Sequence, residues 1–361
     1  MPYKIRGTVL PEGDVRDVYV TGTSITFDPV DGAEMLLDDV ILIPGLVDTH
    51  AHLALASPAP DSAPIADRVA ASARAHLDAG VLLVREPGSI DHSSVGVGPP
   101  VGLPRTVTGG RFLAPEGRYF PGLAREVTDE ELPAAAEEEL RASGAWAKVI
   151  GDSPVPGPGL VRTFSAEALA QAASRVHAAG GRIAIHCSNP EVIQDAIDAG
   201  FDSLEHATGL RADQVEQVAA AGIAWVPTRS IDAGIRELIH GMAWPDDEIR
   251  IVEQSLDEQP AVLCRAVEAG VNVLAGTDAG MGPHGMIRHE VELLAAAGLA
   301  PDVALAAASW AARSWLGLPG IEEGAPADLV AFRSDPREDL SVLAQPAAVI
   351  LDGRLVRDPR D

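Results

Sequence analysis

Cysteine is almost absent from the sequence, which has only Cys187 and Cys264 among its 361 residues. Two cysteines in a chain of this length do not form a disulfide framework. We expect both to be small residues of the hydrophobic core. Hydrophobic residues make up 47% of the sequence, so a large core is available without covalent cross-links.

Basic residues are scarce relative to acidic ones. The 27 lysines and arginines face 53 aspartates and glutamates, which gives a formal net charge of −26 at pH 7. A surface of this charge repels nucleic acids and anionic membranes, so we exclude both as partners. The charge favours solubility but identifies no substrate.

Long apolar runs are missing as well. No window reaches about 18 uninterrupted apolar residues, so no membrane span is expected. The first residues, MPYKIRGTVLPEGD, lack the apolar run of a secretory signal. We therefore expect a cytoplasmic location.

Short apolar runs and Ala-rich amphipathic stretches alternate from about residue 45 onward. Several stretches end in Ala-Gly or Gly-Gly just before the next run, which is typical of helix ends. Eight such runs predict an α/β fold, a parallel (β/α)8 TIM barrel whose strands are apolar throughout because both faces are buried. The runs are GLVDTH, VLLVRE, PRTVTG, WAKVIG, RIAIHC, DSLEHA, IAWVP and NVLAGTD.

Both ends of the chain have the pattern of strands instead of helices. KIRGTVL, DVYVTG, SITFDP and DDVILIP precede the barrel, and two further strand-like segments follow residue 320. We predict that residues 1–44 and 320–361 pair into a small composite β-sandwich domain. Residues 45–319 then form the catalytic TIM barrel, which is close to the usual size of that fold.

Side chains that bind metals recur at the ends of the predicted barrel strands. His50 and His52 are two residues apart in PGLVDTHAH, so a strand would direct both imidazoles to one face. Later strands end with, or contain, further ligand types. Residues at the carboxyl ends of barrel strands converge on one catalytic face. These later candidates are Lys148, His186, His206 and Asp278.

Lys148 lies in WAKVIG, a segment that is otherwise apolar. An unpaired buried ammonium is costly, so the residue needs either an ionic partner or different chemistry. One interpretation is an ion pair with Asp152 or Glu205. The other is a carbamate, formed when carbon dioxide adds to the neutral amine, which would bridge two cations as a carboxylate.

The ordered set of motifs resembles the amidohydrolase superfamily, in its binuclear branch with a carboxylated lysine, and is most similar to imidazolonepropionase-like and Xaa-Pro-dipeptidase-like members. The motifs that carry the resemblance are PGLVDTHAH (44–52), the Lys148 strand, IAIH (183–186), DSLEHATG (202–209), AGTDAG (275–280) and GAPADLVAF (324–332).

The resemblance implies two divalent metal ions, which we expect to be zinc. The resemblance also implies that the more buried ion is held by His50, His52 and Asp278. His186 and His206 hold the second, and N6-carboxylysine at Lys148 bridges the two. Zinc suits this mixed imidazole and carboxylate set, although manganese, cobalt, nickel and iron accept similar ligands.

We therefore expect a metal-dependent hydrolase of C–N bonds in an amide, a dipeptide or a cyclic amide. Metal-activated water would attack the substrate, and Asp278 would be the catalytic proton carrier. A lactone, ester or organophosphate hydrolase on the same site is an alternative. A non-catalytic scaffold is another, although all six ligand positions are filled. A mononuclear deaminase is a third, but Asn189 stands where such deaminases typically have a glutamate.

Substrate contacts are less clearly indicated. Arg85 and Arg229 follow barrel strands, where either could clamp a substrate carboxylate bidentately. Tyr119 could donate to a substrate oxygen, and His284 follows Asp278 in the last strand's loop. Thr277 and Glu205 are candidates to support the histidines, if strand alternation does not turn them away. The expected partner is a small-molecule substrate, and the resemblance is compatible with a homo-oligomer.

Overall fold

The computed structural model describes residues 2–155 and 159–360, with strands concentrated at both ends and at regular intervals between. In chain order they are β1 (Tyr3–Val9), β2 (Asp14–Thr21), β3 (Ser24–Thr26), β4 (Glu34–Pro44), β5 (Leu46–Asp48), β6 (Val81–Glu86), β7 (Arg105–Ala114), β8 (Ala124–Glu126), β9 (Trp146–Ile150), β10 (Asp152–Val155), β11 (Gly159–Arg162), β12 (Arg182–Cys187), β13 (Ser203–His206), β14 (Ala224–Val226), β15 (Leu329–Phe332), β16 (Ala348–Leu351) and β17 (Arg354–Arg357).

Helices fill most of the connections between the barrel strands. They are α1 (Ile65–Asp78), α2 (Leu132–Ser143), α3 (Ala166–Ala178), α4 (Pro190–Ala199), α5 (Val215–Ala221), α6 (Asp232–Gly241), α7 (Asp246–Glu268), α8 (Ile287–Ala296), α9 (Pro301–Ala307) and α10 (Trp310–Trp315). Short 3-10 turns span Pro99–Val101, Arg229–Ile231 and Leu340–Ala344. Within the described ranges, no helix is long and apolar enough to cross a bilayer.

Local sequence signals mark several helix ends. The side chain of Ser165 accepts the Ala168 amide at the start of α3, and Asn189 accepts the Glu191 amide at the start of α4. Gly200 and Gly222 follow α4 and α5 in the left-handed conformation, with φ of +75° and +69°. The Ala-Gly pattern in the sequence had predicted these ends.

The central sheet is a parallel barrel that contains all eight predicted strands. β5, β6, β7, β9, β12, β13 and β14 are neighbours in that order. The eighth position is the extended segment 272–279. The Leu274 amide donates to Trp225 O at 2.9 Å on one side, and the Asp278 amide donates to His50 O at 2.7 Å on the other. These bonds close the barrel, and the predicted fold class is confirmed.

Burial on both faces explains the apolar character of the barrel strands. Every residue of β6, β9 and β13 is buried, as expected for parallel strands with helices outside and packed side chains inside. Cys187 on β12 is buried in this core. Cys264 is only half-buried, because it lies on the outer helix α7 against the Ala297 carbonyl.

The second sheet joins the two ends of the chain. Its strand order is β17-β16-β15-β4-β1-β2-β3, and β15 pairs antiparallel with β4, where Val330 faces Ile43. Buried residues of this sheet, among them Ile5, Leu42 and Ile350, pack into a separate apolar cluster. The sheet is the expected mixed β-layer from both termini. The domain boundaries at 44/45 and 319/320 stay a prediction.

The connection after β14 is longer than the others and contains α6 and α7. Ile239, Trp244, Val252 and Leu256 pack together in its interior, with Leu160 of β11 against them. This helical pair and the β10–β11 hairpin contribute residues to the same cavity as the histidines at the strand ends. They therefore form one wall of this cavity.

Candidate metal centre

The structure brings all six predicted metal ligands to one cavity at the carboxyl ends of the barrel strands. His186 and His206 are at the ends of β12 and β13, and Lys148 is in the middle of β9. His50 and His52 follow β5, and Asp278 lies in the segment that closes the barrel. The ligand atoms of His50, His206 and Asp278 lie within 4.8 Å of one another. Their roles as ligands stay a prediction. The six residues in the cavity lining are His50, His52, Lys148, His186, His206 and Asp278.

His50 and His52 meet Asp278 with their Nε2 atoms. The two Nε2 atoms are 3.2 Å apart. Asp278 Oδ1 is 3.4 Å from Nε2 of His50 and 3.1 Å from Nε2 of His52. His52 Nδ1 donates to the carbonyl of Gly88 at 2.7 Å, and His50 Nδ1 donates to Glu205 Oε2 at 2.7 Å.

These outer hydrogen bonds determine which nitrogen faces the cavity with a lone pair. A carbonyl oxygen only accepts, so neutral His52 carries its proton on Nδ1 and leaves Nε2 unprotonated. The same holds for neutral His50 against the Glu205 carboxylate. When both imidazoles are neutral, two lone pairs and a carboxylate oxygen converge, and a positive charge among them, from a proton on His50 or from a bound cation, stabilises the arrangement. A divalent cation fits this donor set.

The pKa directions agree with such a positive charge. Burial lowers the pKa of His52, which favours its neutral form. Burial also opposes protonation of His50, yet the carboxylates of Glu205 and Asp278 raise the pKa of this histidine above its usual value. The site therefore stabilises positive charge at the point where the three acceptors meet.

His186 and His206 form the other half of the centre. Their ring centroids are 4.6 Å apart. His206 Nδ1 hydrogen-bonds with Thr228 Oγ1 at 2.7 Å, and His186 Nε2 lies 3.9 Å from Asp152 Oδ1, which is too far for a hydrogen bond. Burial lowers the pKa of His206 well below its usual value and that of His186 to about 3. Both imidazoles are therefore neutral and able to coordinate a metal ion.

Lys148 is buried in the cavity lining with its Nζ atom lacking any hydrogen-bond partner among the described residues. The ion pairs that we considered are absent. Glu205 is occupied by Arg85, Ser203 and His50, and Asp152 accepts backbone amides. Burial lowers the pKa of Lys148 to about 8, so a useful fraction of the amine is neutral near pH 7.

Two glycines make room for these side chains. A Cβ on Gly88 would lie 2.6 Å from Cγ of Lys148, and a Cβ on Gly276 would lie 2.6 Å from Cβ of His50. Real side chains do not approach so closely, so any larger residue would displace a ligand candidate. Gly88 also supplies the carbonyl that orients His52.

The backbone is strained where the strands end at the centre. His206, Thr228 and Asp278 all have positive φ, at +63°, +49° and +52°. Such conformations cost of order 1–3 kcal/mol each in non-glycine residues and concentrate at functional sites. The hydrogen bond between His206 and Thr228 joins two of these strained residues.

Supporting residues were only partly predictable. Glu205 does hold His50, as one of the two candidates for this role. Thr277 instead donates its hydroxyl to Asp48 Oδ2 at 2.6 Å. The sequence did not indicate that Thr228 and Gly88 support the histidines. Thr228 stands in VPTRS without a motif of its own, and Gly88 acts through its backbone, which leaves no side-chain signal.

The predicted substrate contacts fall in different places. Tyr119 lines the cavity, with its ring centroid 6.3 Å from that of His186. Arg85 is fully buried against Glu205, and Arg229 is bonded to Asp232 at 2.8 Å. Neither arginine is among the cavity-lining residues, because each guanidinium already has its own carboxylate. A substrate clamp by either one therefore has no support in this geometry.

His284 lies one layer behind the cavity. Its Nε2 donates to the carbonyl of Leu55 at 2.9 Å, and its Nδ1 is 3.2 Å from Nε2 of His76. Leu55 does line the cavity. His284 therefore supports the loop that follows His52 and is not among the residues that face a substrate.

Comparisons with known proteins place the chain among relatives of the same overall organisation. A sequence model of the amidohydrolase family matches residues 41–356. An uncharacterized protein of Mycobacterium tuberculosis is 36% identical over 97% of this chain and 94% of its own length. Ochratoxinase of Aspergillus niger is 27% identical over 64% of this chain and 50% of its own length.

The fold is shared with solved structures. A Xaa-Pro dipeptidase with bound methionine in its active site superposes with a TM-score of 0.82 at 22% identity, over 99% of this chain and 100% of its own. The family match covers the barrel strands, β15, β16 and all but the last residue of β17. The chain therefore belongs to the amidohydrolase family.

Proposed function

We propose that this chain is a metal-dependent hydrolase that uses two divalent cations to hydrolyse a C–N bond of its substrate. Zinc is the preferred metal. The observation that carries the proposal is the convergence of His50 Nε2, His52 Nε2 and Asp278 Oδ1, which lie 3.1–3.4 Å from one another. Neutral imidazoles and carboxylates are ligands that zinc favours.

His50, His52 and Asp278 would hold the first ion, and His186 with His206 the second. The isolated Nζ of Lys148 suits a bridging carbamate. The neutral amine attacks carbon dioxide, a nitrogen–carbon bond forms, one proton leaves, and the product is an anion. Two cations favour that anion over the free ammonium, which would otherwise repel them.

Bound divalent cations acidify water and polarise a carbonyl oxygen. Asp278 is placed to hold the proton that the attacking water gives up. Burial opposes its ionisation, but His50 and His52 lower its pKa well below the usual value, so it is anionic. The same carboxyl would pass the proton to the leaving nitrogen.

Tyr119 is the polar side chain best placed to contact a substrate oxygen. Its ring centroid lies 5.5 Å from that of Phe112 and 6.3 Å from that of His186. Burial raises the pKa of its hydroxyl, so Tyr119 remains a donor at every physiological pH. It could orient the substrate carbonyl without being deprotonated.

The alternatives differ in their structural support. Asn189, at the position where a deaminase would need a glutamate, caps α4 by accepting the Glu191 amide, which counts against deamination. A scaffold would have no need for convergent acceptors and strained backbone at the strand ends. The name of the structurally similar Xaa-Pro dipeptidase denotes amide-bond cleavage, which makes an amide our first choice.

Metal analysis combined with a substrate screen tests the proposal. We expect about two zinc-type ions per chain, loss of turnover on stripping with a chelator, and recovery on adding zinc back. The screen covers N-acyl amino acids, dipeptides, cyclic amides, lactones and phosphotriesters. His52→Asn should lose metal, whereas His177→Asn, a change at an exposed ion pair with Asp202, should not. Full turnover by stripped protein would contradict the proposal.

A further inference from the structure

One wall of the candidate centre is apolar and comes from elements outside the barrel strands. Leu160 of the β10–β11 hairpin, Ile235 and Leu238 of α6, and Val252 of α7 line the cavity opposite the histidines. Trp244, from the turn between the two helices, completes this wall. We call these five residues the apolar wall.

None of the five residues of the apolar wall is basic. Among the described lining residues, Lys148 is the only basic side chain other than the histidines. The arginines near the wall in sequence are paired or exposed, and none is among the lining residues. Arg236 pairs with Asp257 at 2.6 Å, Arg162 pairs with Asp195, and Arg250 is exposed.

A substrate carboxylate against this wall would lose its hydration without gaining a partner. Burying an unpaired anion is strongly unfavourable, and the net charge of −26 adds long-range repulsion. An uncharged hydrocarbon group instead gains from leaving water. The wall therefore selects against anionic substrates and favours neutral, apolar ones.

We propose that the substrate is an uncharged amide with a compact apolar group that docks on the apolar wall, and that free dipeptides and N-acyl amino acids are poor substrates. This rests on the proposed hydrolase function and narrows its substrate class. The cavity has a volume of about 100 Å³, which favours a compact group.

A matched pair of compounds tests the charge preference. N-benzoyl-leucinamide and N-benzoyl-leucine differ only in a terminal carboxamide or carboxylate, and release of benzoate is followed by chromatography. For the zinc-loaded full chain we expect kcat/KM to be at least tenfold higher for the carboxamide. An equal or higher value for the carboxylate would overturn the inference.

Two variants test whether the apolar wall sets this preference. Leu238→Lys adds a cation to the wall and should reduce the preference for the carboxamide by at least threefold. Ala233→Lys adds the same charge on the exposed side of α6 and should leave the preference unchanged. Equal effects of the two variants would show that the wall does not select the substrate.

A binding measurement separates this inference from the proposed hydrolase function. Calorimetry with chelator-stripped full chain compares the same two compounds without turnover and without metal attraction for the carboxylate. Tighter binding of the carboxamide supports the inference even if zinc-loaded protein hydrolyses neither compound, an outcome that would contradict the proposed function alone. Binding of neither compound at millimolar concentration, or tighter binding of the carboxylate, overturns the inference.

Discussion

Arg85 and Glu205 form a fully buried ion pair beneath the candidate metal centre, in which Nη1 and Nη2 of Arg85 both donate to Glu205 Oε1 at 3.0 Å. The other carboxylate oxygen accepts from Nδ1 of His50. The guanidinium lies over the ring of Trp146, 4.0 Å from its centroid. A continuous chain of contacts therefore runs from the bottom of the barrel to a predicted metal ligand.

Glu205→Gln should weaken metal binding without removing a ligand. An amide cannot accept equally well from His50 and Arg85, so His50 loses its fixed orientation and the basicity that the carboxylate gives it. Outer partners of metal ligands typically contribute 10–100-fold to affinity, and we expect a loss in that range. Competition with a fluorescent zinc chelator measures it. Glu216→Gln, at an exposed pair with Arg265, is the control and should retain full affinity.

Arg85→Met separates a positioning role from a clamp. Removing one partner of a buried pair leaves the other charge uncompensated and destabilises a protein by about 3–5 kcal/mol. We expect a lower denaturation midpoint, weaker zinc binding and a lower kcat. The KM for carboxylate-bearing and neutral substrates should change by the same factor. A selective rise in KM for the carboxylates would restore the clamp role that the sequence indicated.

The positions of the ligands were predictable, whereas the orientation of their neighbours was not. Most of the predicted ligands lie at or just after the end of an apolar run, and parallel barrels gather such ends at one face. Glu205 and His206 are adjacent, so strand alternation predicts opposite faces. Both nevertheless serve the centre, because His206 has a φ of +63° and turns out of the strand geometry. A backbone conformation of this kind has no signature in the sequence.

The sequence does not predict the apolar wall either. Leu238 and Val252 lie on helices that the alternating pattern does not distinguish from the outer helices of the barrel. Only the packing of α6 and α7 against Leu160 shows that these residues face the cavity. Arg85 ends a strand as a substrate clamp would, but its guanidinium is drawn inward by Glu205.

Glu139 provides a pH-dependent prediction away from the centre. This buried carboxylate of α2 accepts from Arg111, Arg125 and His92. Burial opposes its ionisation, but these contacts lower its pKa to about 2 from the usual 4.5. Its ionised form therefore stabilises the fold above pH 4.5, and that contribution is lost as the pH falls toward 2.

Urea denaturation of Glu139→Gln beside the parent protein measures this effect. At pH 7 the variant should be less stable, and the difference in the free energy of unfolding should narrow progressively between pH 5 and pH 3. The exposed Glu12→Gln should show no such trend. A difference that stays constant across this range would mean that Glu139 contributes through packing and not through its charge.

Lys148 allows a direct test of carbamate formation, because the sequence contains only one other lysine, Lys4. Protein loaded with zinc in 13C-bicarbonate should show one carbamate carbon resonance. Lys148→Met should lose that resonance and at least one metal ion per chain, since the bridging anion is gone. Lys4 pairs with Asp17 at 2.8 Å on the second sheet. Lys4→Met should therefore keep the carbamate resonance and the full metal content. If the resonance instead persists in Lys148→Met, the carbamate is not at this residue, and the unpartnered amine in the cavity requires another explanation.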